Sequence, residues 1–254
     1  MKNIIIIYIS MIFLPLCTVF GYDSSEIIQI AVASNFSVVM DEISKRFEQE
    51  TGCDVRVIPG STGKHYAQIK QGAPIDIFFS ADVKRPEILE IEGIGLSDTR
   101  FTYAIGKIIL WSPKNNYVDP KGNILHNDSI YRIAIANPNL APYGRAAKET
   151  LENSDLWLKL KSKIVRGENI GQAFHFVNSG NADLGFVSAS QIKHPRFSGK
   201  GSYWEVPSNL YSPIFQDAVL LKESKSGREF IKFVKSHKSK NIIQRFGYEV
   251  PVYE

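Results

Sequence analysis

Short apolar runs alternate along this chain with longer segments in which apolar residues recur at helical spacing. Ile27–Ala33 and Ile75–Ser80 are extended apolar runs, the second interrupted by Asp76, as expected for strands buried inside a parallel sheet. Between them, Val38–Thr51 repeats its apolar residues with the period of an amphipathic helix. This β–α–β alternation predicts an α/β protein built on doubly wound sheets.

The same alternation continues through the rest of the chain. Phe101–Ser112 is longer than an ordinary strand of about 5–6 residues, which suits a strand that crosses from one lobe into another. Gly247 is expected to end the last helix. The pattern predicts further strands at Asp54–Ile58, Arg132–Ala136, from Ile164, Asp183–Val187 and Pro213–Leu221, and further helices at Tyr66–Gln71, Gly144–Asn153, Ile170–Ser179, Ser226–Ser236 and Ser239–Phe246.

Four segments share one plan, which is an extended run, a small polar turn and the start of a helix. A helix N-terminus attracts anions because its macrodipole and its unpaired N–H groups both favour negative charge. Four such ends in one chain, without a recognisable catalytic motif, indicate a cage for a small oxyanion. The segments are Ala33–Phe36, Pro59–Gly63, Asn137–Gly144 and Gly167–Gly171.

Each of these turns also has a purely structural interpretation. Ser34 and Asn35 can cap a helix, and that role weighs as much as anion binding at this turn. In Gly60–Gly63 two hydroxyl residues stand between two glycines, which is more than a cap needs and lets a bound group approach the backbone closely. Tyr143 alone is more typical of a half-buried packing residue, and Ile170 can contribute only its backbone N–H.

The first 21 residues have the pattern of a secretory signal peptide. Lys2 precedes the apolar run Ile4–Leu16, which is short for a membrane span, and suitable cleavage-site residues precede Tyr22. Cys17 raises the alternative of a lipoprotein, but the large Leu16 stands where sequences that resemble lipoprotein signals carry a small residue. We therefore expect a periplasmic protein that begins at Tyr22.

Composition narrows the function classes. The formal net charge is +4 without a polybasic tract, which gives no support for a nucleic-acid partner. Cys53 is the one cysteine left after cleavage, so no intramolecular disulfide is expected. The five histidines have no metal-ligand spacing and the Gly-x-Ser-x-Gly motif is absent, which argues against an enzyme. Asp76 and Asp82 are interpreted as a strand-face acid and a helix cap, and Lys64 is expected to point to solvent.

The motifs resemble those of the periplasmic molybdate-binding proteins of ABC importers, in the same order and over essentially the whole chain after the signal peptide. This resemblance implies a two-lobed type II periplasmic-binding-protein fold, each lobe being a doubly wound mixed sheet flanked by helices. Residues 22–106 with 208–254 would form lobe I, and 107–207 lobe II. The matching stretches are Ala31–Phe36, Gly60–Lys64, Tyr66–Ile69, Gly72–Asp82, Arg100–Ser112, Ile135–Gly144, Glu168–Ala173 and Ala182–Val187.

The resemblance also implies the site and the function. Neutral donors at four helix starts would bind the anion, namely Ser34, Asn35, Thr62, Tyr143 and the backbone of Ile170. Relatives often carry Thr in place of Ser34 and Val in place of Ile170, and both changes keep the donor. The implied protein is a monomer without catalytic residues, cofactor or cation ligands. It would capture molybdate, with tungstate nearly indistinguishable, and deliver it to the membrane permease of an ABC importer.

Three alternatives stay open at this point. Another tetrahedral oxyanion such as sulfate or phosphate could be the ligand, although donors without acceptors reject a protonated oxyanion, and selection between sulfate and molybdate would rest on size. A secreted hydrolase could use Ser34 or Ser61, but no base stands in a recognisable motif. A ligand-sensing domain of a regulator is disfavoured by the signal peptide.

Overall fold

The computed structural model describes residues 27–251. The predicted signal peptide with Cys17, the residues between it and position 27, and the last three residues lie outside the described range. Within that range, no helix is long and apolar enough to cross a membrane.

The described chain alternates strands and helices as the pattern predicts. The strands are β1 (Ile28–Ala33), β2 (Val55–Gly60), β3 (Ile77–Phe79), β4 (Phe101–Gly106), β5 (Ile108–Ser112), β6 (Ile133–Ala136), β7 (Ile164–Gly167), β8 (Leu184–Ser188), β9 (Ser202–Glu205) and β10 (Ile214–Leu220). The helices are α1 (Ser37–Thr51), α2 (Thr62–Lys70), α3 (Lys84–Ile91), α4 (Pro142–Asn153), α5 (Trp157–Leu160), α6 (Ile170–Asn178), α7 (Ala189–Lys193), α8 (Lys225–Val234) and α9 (His237–Arg245).

The strands form two mixed sheets of five strands each, in the orders β2-β1-β3-β10-β4 and β7-β6-β8-β5-β9. In the first sheet β1 runs parallel to β2 and β3, whereas β10 is antiparallel to β3 and β4. In the second, β6 is parallel to β7 and β8, and β5 is antiparallel to β8 and β9. We call the first sheet with its helices lobe I and the second sheet with its helices lobe II.

The predicted long strand is two strands. Phe101–Gly106 belongs to lobe I and Ile108–Ser112 to lobe II, with a break at Lys107. The side chain of Lys107 is half exposed and forms an ion pair with Glu249. The segment does cross between the lobes, as expected, but it does so through a single exposed residue at which strand pairing changes from one sheet to the other.

Strand register places the helix starts of each lobe side by side. In lobe I, Ala33 at the end of β1 pairs with Gly60 at the end of β2. In lobe II, Ala136 at the end of β6 pairs with Gly167 at the end of β7. Since the carboxyl ends of parallel strands meet at one edge of a sheet, the helices that follow also begin there. All four predicted strand–turn–helix segments are confirmed.

Apolar burial holds these strand ends in place. Helix α1 lays Val39, Ile43 and Phe47 against lobe I, and all three are buried. Phe47 meets Phe230 of α8 edge to face, with ring centroids 5.0 Å apart. Such aromatic pairs contribute about 0.5–1.5 kcal/mol beyond their burial. Gly247 ends α9 with φ +85°, as predicted.

Candidate functional site

One small pocket lies where the helix starts of the two lobes meet. About 180 Å³ of space outside protein atoms lies in and around it, including open solvent. The structure brings all five residues predicted for the site together in its wall, and no charged residue of the described chain lines it. The lining residues are Ala33, Ser34, Asn35, Gly60, Ser61, Thr62, Ala81, Ala141, Pro142, Tyr143, Asn169 and Ile170.

Ser34 joins the two lobes at the pocket wall. Its backbone N–H donates to Gly60 O, at 2.9 Å, so this N–H is already used. Its hydroxyl oxygen accepts from the backbone N–H of Gly171 in lobe II, at 3.3 Å. A hydroxyl that accepts in this way keeps its own proton for another acceptor. Ser34 can therefore donate to an anion through its side chain.

Asn35 has its side chain directed away from the pocket, into a buried polar cluster. Its Nδ2 donates to Gln216 Oε1 at 2.8 Å and to the Tyr248 hydroxyl at 3.0 Å, which uses both N–H groups of the amide. Its backbone oxygen accepts from Tyr248 at 2.7 Å and from Ser190 at 3.0 Å. The backbone N–H is what Asn35 can offer an anion, and the side chain fixes its position.

Two adjacent hydroxyl groups at the start of α2 have different roles: one caps the helix, and the other is a candidate anion donor. Ser61 is the N-cap, and its Oγ accepts from Lys64 N at 3.4 Å. Thr62 does not cap the helix; its Oγ1 accepts from Ala81 N at 3.0 Å, which leaves the hydroxyl proton available. Thr62 is only 1% exposed, and its backbone N–H belongs to the first helical turn, where no intrahelical partner exists. The structure thus separates the cap from the candidate anion donor.

The two lobe II helices also begin at the pocket. Tyr143 is the second residue of α4, after Pro142, and its buried hydroxyl lies against Gly106, where a Cβ atom would overlap it. Burial raises the pKa of Tyr143 well above its usual value, so the phenol stays a neutral donor. Ile170 is the first residue of α6, with Asn169 as its cap, and its N–H is in the unpaired first turn.

The cations near these helix starts are engaged elsewhere. Arg85 lies beside Gly63, forms an ion pair with Asp82 and donates to the backbone oxygen of Asn139 at 3.3 Å. Lys64 is half exposed and forms an ion pair with Glu168 of lobe II at 3.0 Å. Arg145 is also half exposed and lies 3.5 Å from Glu149 on its own helix. The expectation that Lys64 points to solvent is therefore met, with the addition that it bridges the lobes. An anion in the pocket would be surrounded by neutral donors.

The hydrolase alternative lacks a base. His65 is the closest candidate, but its ring packs against Gly60, where a Cβ atom would stand 2.5 Å from Nε2. That Nε2 has no hydrogen-bond partner in the described structure, so it does not activate Ser34 or Ser61. Burial lowers the pKa of His65 and keeps it neutral. Among residues 27–251 no group of three or more His, Cys, Asp or Glu could hold a metal ion.

A wider groove adjoins the small pocket, and the Ser34–Gly171 contact lies between the two. Its wall contains the aromatic rings of Phe174, Phe197 and Phe246 and the charged side chain of Arg196. No residue of helix α2 or α4 lines this groove, so it lacks the donors of Thr62 and Tyr143. The small pocket, where donors from all four helix starts converge, is therefore the better candidate site.

Sequence reasoning did not identify the buried polar cluster behind the pocket. It comprises Asn35, Tyr103, Ser190, Gln216 and Tyr248, all of which are buried. These residues are up to 213 positions apart in the chain, so no local motif contains them. The one available signal was the polar pair Gln216–Asp217 inside an otherwise apolar predicted strand.

Comparisons with known proteins agree with this architecture. Residues 28–249 match the model of a family described as bacterial extracellular solute-binding protein. The chain is 44% identical to the molybdate-binding protein ModA of Azotobacter vinelandii, over 87% of this chain and 89% of the relative. It is 43% identical to ModA of Rhodobacter capsulatus, over 86% of each chain.

A solved structure gives the same result. The Azotobacter vinelandii periplasmic molybdate-binding protein matches with a TM-score of 0.86 and 40% identity, over 89% of this chain and 100% of that chain. The predicted two-lobed type II periplasmic-binding-protein fold is confirmed. So is the expectation of a binding protein rather than an enzyme, because the matched family is one of solute-binding proteins.

Proposed function

We propose, from the premise that this chain belongs to the family of bacterial extracellular solute-binding proteins, that it captures molybdate and delivers it to an ABC importer. The relatives named as molybdate-binding proteins cover nearly the whole described chain at more than 40% identity. Similarity at that level over both lobes supports the same ligand here. We further propose that the protein acts in the periplasm after export, as a monomer, with a membrane permease and not a nucleic acid as its partner.

One observation carries the proposal: four helix starts, two from each lobe, converge on a pocket lined by uncharged groups. A dianion taken out of water must be matched by many hydrogen bonds. Hydrogen bonds to a charged group contribute about 1.5–3 kcal/mol each, so several converging donors can replace hydration without a cation.

Each predicted residue has a distinct proposed role. The hydroxyl groups of Ser34, Thr62 and Tyr143 donate side-chain protons to the molybdate oxygens. Asn35 and Ile170 donate backbone N–H groups. Tungstate has the same charge and tetrahedral shape, so we propose that it binds nearly as well. The backbone N–H groups can only donate, and the Ser34 and Thr62 oxygens already accept from Gly171 N and Ala81 N. The O–H of hydrogenphosphate would therefore lack a good acceptor, which disfavours this anion.

Lobe closure is part of the proposed mechanism. We propose that residues 22–106 with 208–254 move as one lobe and 107–207 as the other, which the distribution of strands over two sheets supports. The lobes touch beside the pocket, where Gly63 N donates to Leu140 O at 2.8 Å. Donors from both lobes reach one anion only when the cleft is closed, so binding stabilises the closed state by its differential affinity.

Calorimetric titration of the purified protein tests the proposal. We expect tight binding of molybdate and tungstate and much weaker binding of sulfate and phosphate. Equal affinity for sulfate and molybdate would favour the alternative of a general tetrahedral-oxyanion binder. Absence of heat with all four anions, in a protein shown to be folded by circular dichroism, would refute the proposed ligand class.

A further inference from the structure

Gln216 lies at the centre of the polar cluster behind the pocket. Its side chain is fully buried, and its amide contacts Asn35 of lobe I and Tyr143 of lobe II. Its oxygen also faces the Tyr103 hydroxyl at 3.1 Å, whose proton is shared with the backbone oxygen of Ser80 at 2.9 Å. One uncharged side chain therefore touches a proposed anion ligand from each lobe.

An irregularity in the sheet directs Gln216 to this place. The register between β10 and β4 shifts between Gln216, which pairs with Ala104, and Asp217, which pairs with Thr102. The two consecutive polar side chains are both buried, and Asp217 binds Arg100 and Thr102 instead of the cluster. Bulges commonly redirect a side chain beside a functional site.

The directions of the hydrogen bonds follow from groups that can only accept. The Tyr248 hydroxyl lies 2.7 Å from the backbone oxygen of Asn35 and 2.9 Å from the Ser190 hydroxyl. The carbonyl can only accept and is the nearer of the two, so we assign the Tyr248 proton to this bond. Towards the Asn35 amide, 3.0 Å away, the Tyr248 oxygen must then accept, which places Nδ2 of Asn35 on that side. The second N–H of that amide faces Gln216 Oε1 at 2.8 Å.

The orientation of Gln216 then determines what Tyr143 can do. With Oε1 turned to Asn35, Nε2 faces the Tyr143 hydroxyl at 3.4 Å. An amide nitrogen donates and does not accept, so the Tyr143 proton must go to another acceptor. Burial, and in addition a hydrogen bond to the Tyr248 hydroxyl, raises the pKa of Tyr143, so Tyr248 is one such acceptor. A bound oxyanion is the stronger acceptor because it is charged.

We propose that Gln216 is a positioning residue for anion binding: by donating to the Tyr143 oxygen, it keeps the Tyr143 proton directed at the bound oxyanion. This inference rests on the proposed function of the pocket. If Gln216 acts in this way, a residue outside the pocket wall is the reason why Tyr143 donates to the anion.

The variant Gln216→Glu tests the direction of the bond. A carboxylate at this position only accepts, so it would take the Tyr143 proton from the anion. We expect molybdate affinity to fall at least about 100-fold at pH 8.5, and to recover as the pH falls to 6, because a protonated Glu again has an O–H to donate. The wild type should change little over the same range.

A matched uncharged variant separates this effect from packing. Gln216→Met fills a similar volume without hydrogen bonds, and we expect a loss of roughly tenfold that does not depend on pH. The groups that face position 216 do not titrate in the assay range, since burial raises the pKa of Tyr103, Tyr143 and Tyr248. The nearby carboxylates Asp82 and Asp217 are the same in both variants.

A double-mutant cycle provides a second readout that does not require Gln216→Glu to fold. If Gln216 acts through Tyr143, then Gln216→Met should weaken binding little further in a Tyr143→Phe background. Additive losses in the cycle, or a pH-independent loss in Gln216→Glu equal to that in Gln216→Met, would overturn the inference. A folded wild type that does not bind molybdate would instead refute the proposed function.

Discussion

Removing the Thr62 hydroxyl should weaken anion binding and also remove one buried hydrogen bond from the fold. In the structure this hydroxyl accepts from Ala81 N at 3.0 Å and keeps its proton for the pocket, while the neighbouring Ser61 caps α2. The lost donor to a charged ligand is worth about 1.5–3 kcal/mol, which corresponds to a roughly 10- to 150-fold higher Kd for Thr62→Ala.

The same substitution has a second effect that the structure makes visible. The Ala81 N–H loses its buried acceptor, which costs about 1–3 kcal/mol of stability in the unliganded protein. Thr62→Ser keeps both hydrogen bonds, so it should restore most of the affinity and the stability. Comparing the two variants separates the hydroxyl from the methyl group.

Ser61→Ala is the matched control, because it removes the adjacent hydroxyl, which serves as the cap. We expect a loss of about 1 kcal/mol of stability and a Tm lower by roughly 2–4 °C, with molybdate affinity changed much less than in Thr62→Ala. Calorimetric titration and thermal melts of the three variants provide the readouts. If Thr62→Ala binds as tightly as wild type, or if Ser61→Ala loses as much affinity as Thr62→Ala, the assignment of the two hydroxyls is wrong.

Three further predictions follow from the same geometry. Replacing both Lys64 and Arg145 with Gln should change molybdate affinity less than Thr62→Ala does, and affinity should depend weakly on salt; a loss of tenfold or more with the fold intact would show a cation at the anion. Gly106→Ala should displace the Tyr143 hydroxyl and lower affinity by at least about tenfold, and unchanged binding would show that this hydroxyl is not a ligand. Burial raises the folded-state pKa values of Tyr103, Tyr143 and Tyr248 above the usual 10.0. The stability that these tyrosines contribute is therefore complete below pH 10 and is lost as the pH rises above it. Thermal melts at pH 8 and 10.5 should show a lower Tm at the higher pH, and equal Tm values would contradict this prediction.

The fold was predictable from the sequence where local patterns decide the structure. Each of the four strand–turn–helix segments combines an apolar run with a polar turn, and the structure has them as expected. Their strands end at Ala33, Gly60, Ala136 and Gly167. The break at Lys107 was not predictable, because the apolar run continues on both sides and only pairing with two different sheets interrupts it.

Other elements gave too weak a local signal. Strand β9 has only four residues, Ser202–Glu205, two of which are polar. It forms by pairing with β5. Helix α3 was also not predicted; it has little amphipathic character, and Leu89 and Pro86 are its only buried residues within the described structure. Tertiary contacts decide such segments more than their own propensities do.

The candidate site divides in the same way. Residues in the four turns could be named from the sequence, since each lies in its own motif. The group that each residue donates could not be predicted from the sequence. The Asn35 side chain, for example, is hydrogen-bonded to Gln216 and Tyr248, which lie 181 and 213 positions away in the chain. The division of roles between Ser61 and Thr62 likewise depends on Ala81, which reaches Thr62 from another strand end.

A crystal structure of the protein with molybdate, with anomalous data collected at the molybdenum edge, tests the central claim most directly. The account predicts one strong anomalous peak in the small pocket, with the anion's oxygens within hydrogen-bond distance of the Ser34, Thr62 and Tyr143 hydroxyls and of the Asn35 and Ile170 N–H groups. It predicts that no Lys or Arg side chain touches the anion. A peak outside this pocket, or one coordinated by a cationic side chain, would contradict the neutral cage.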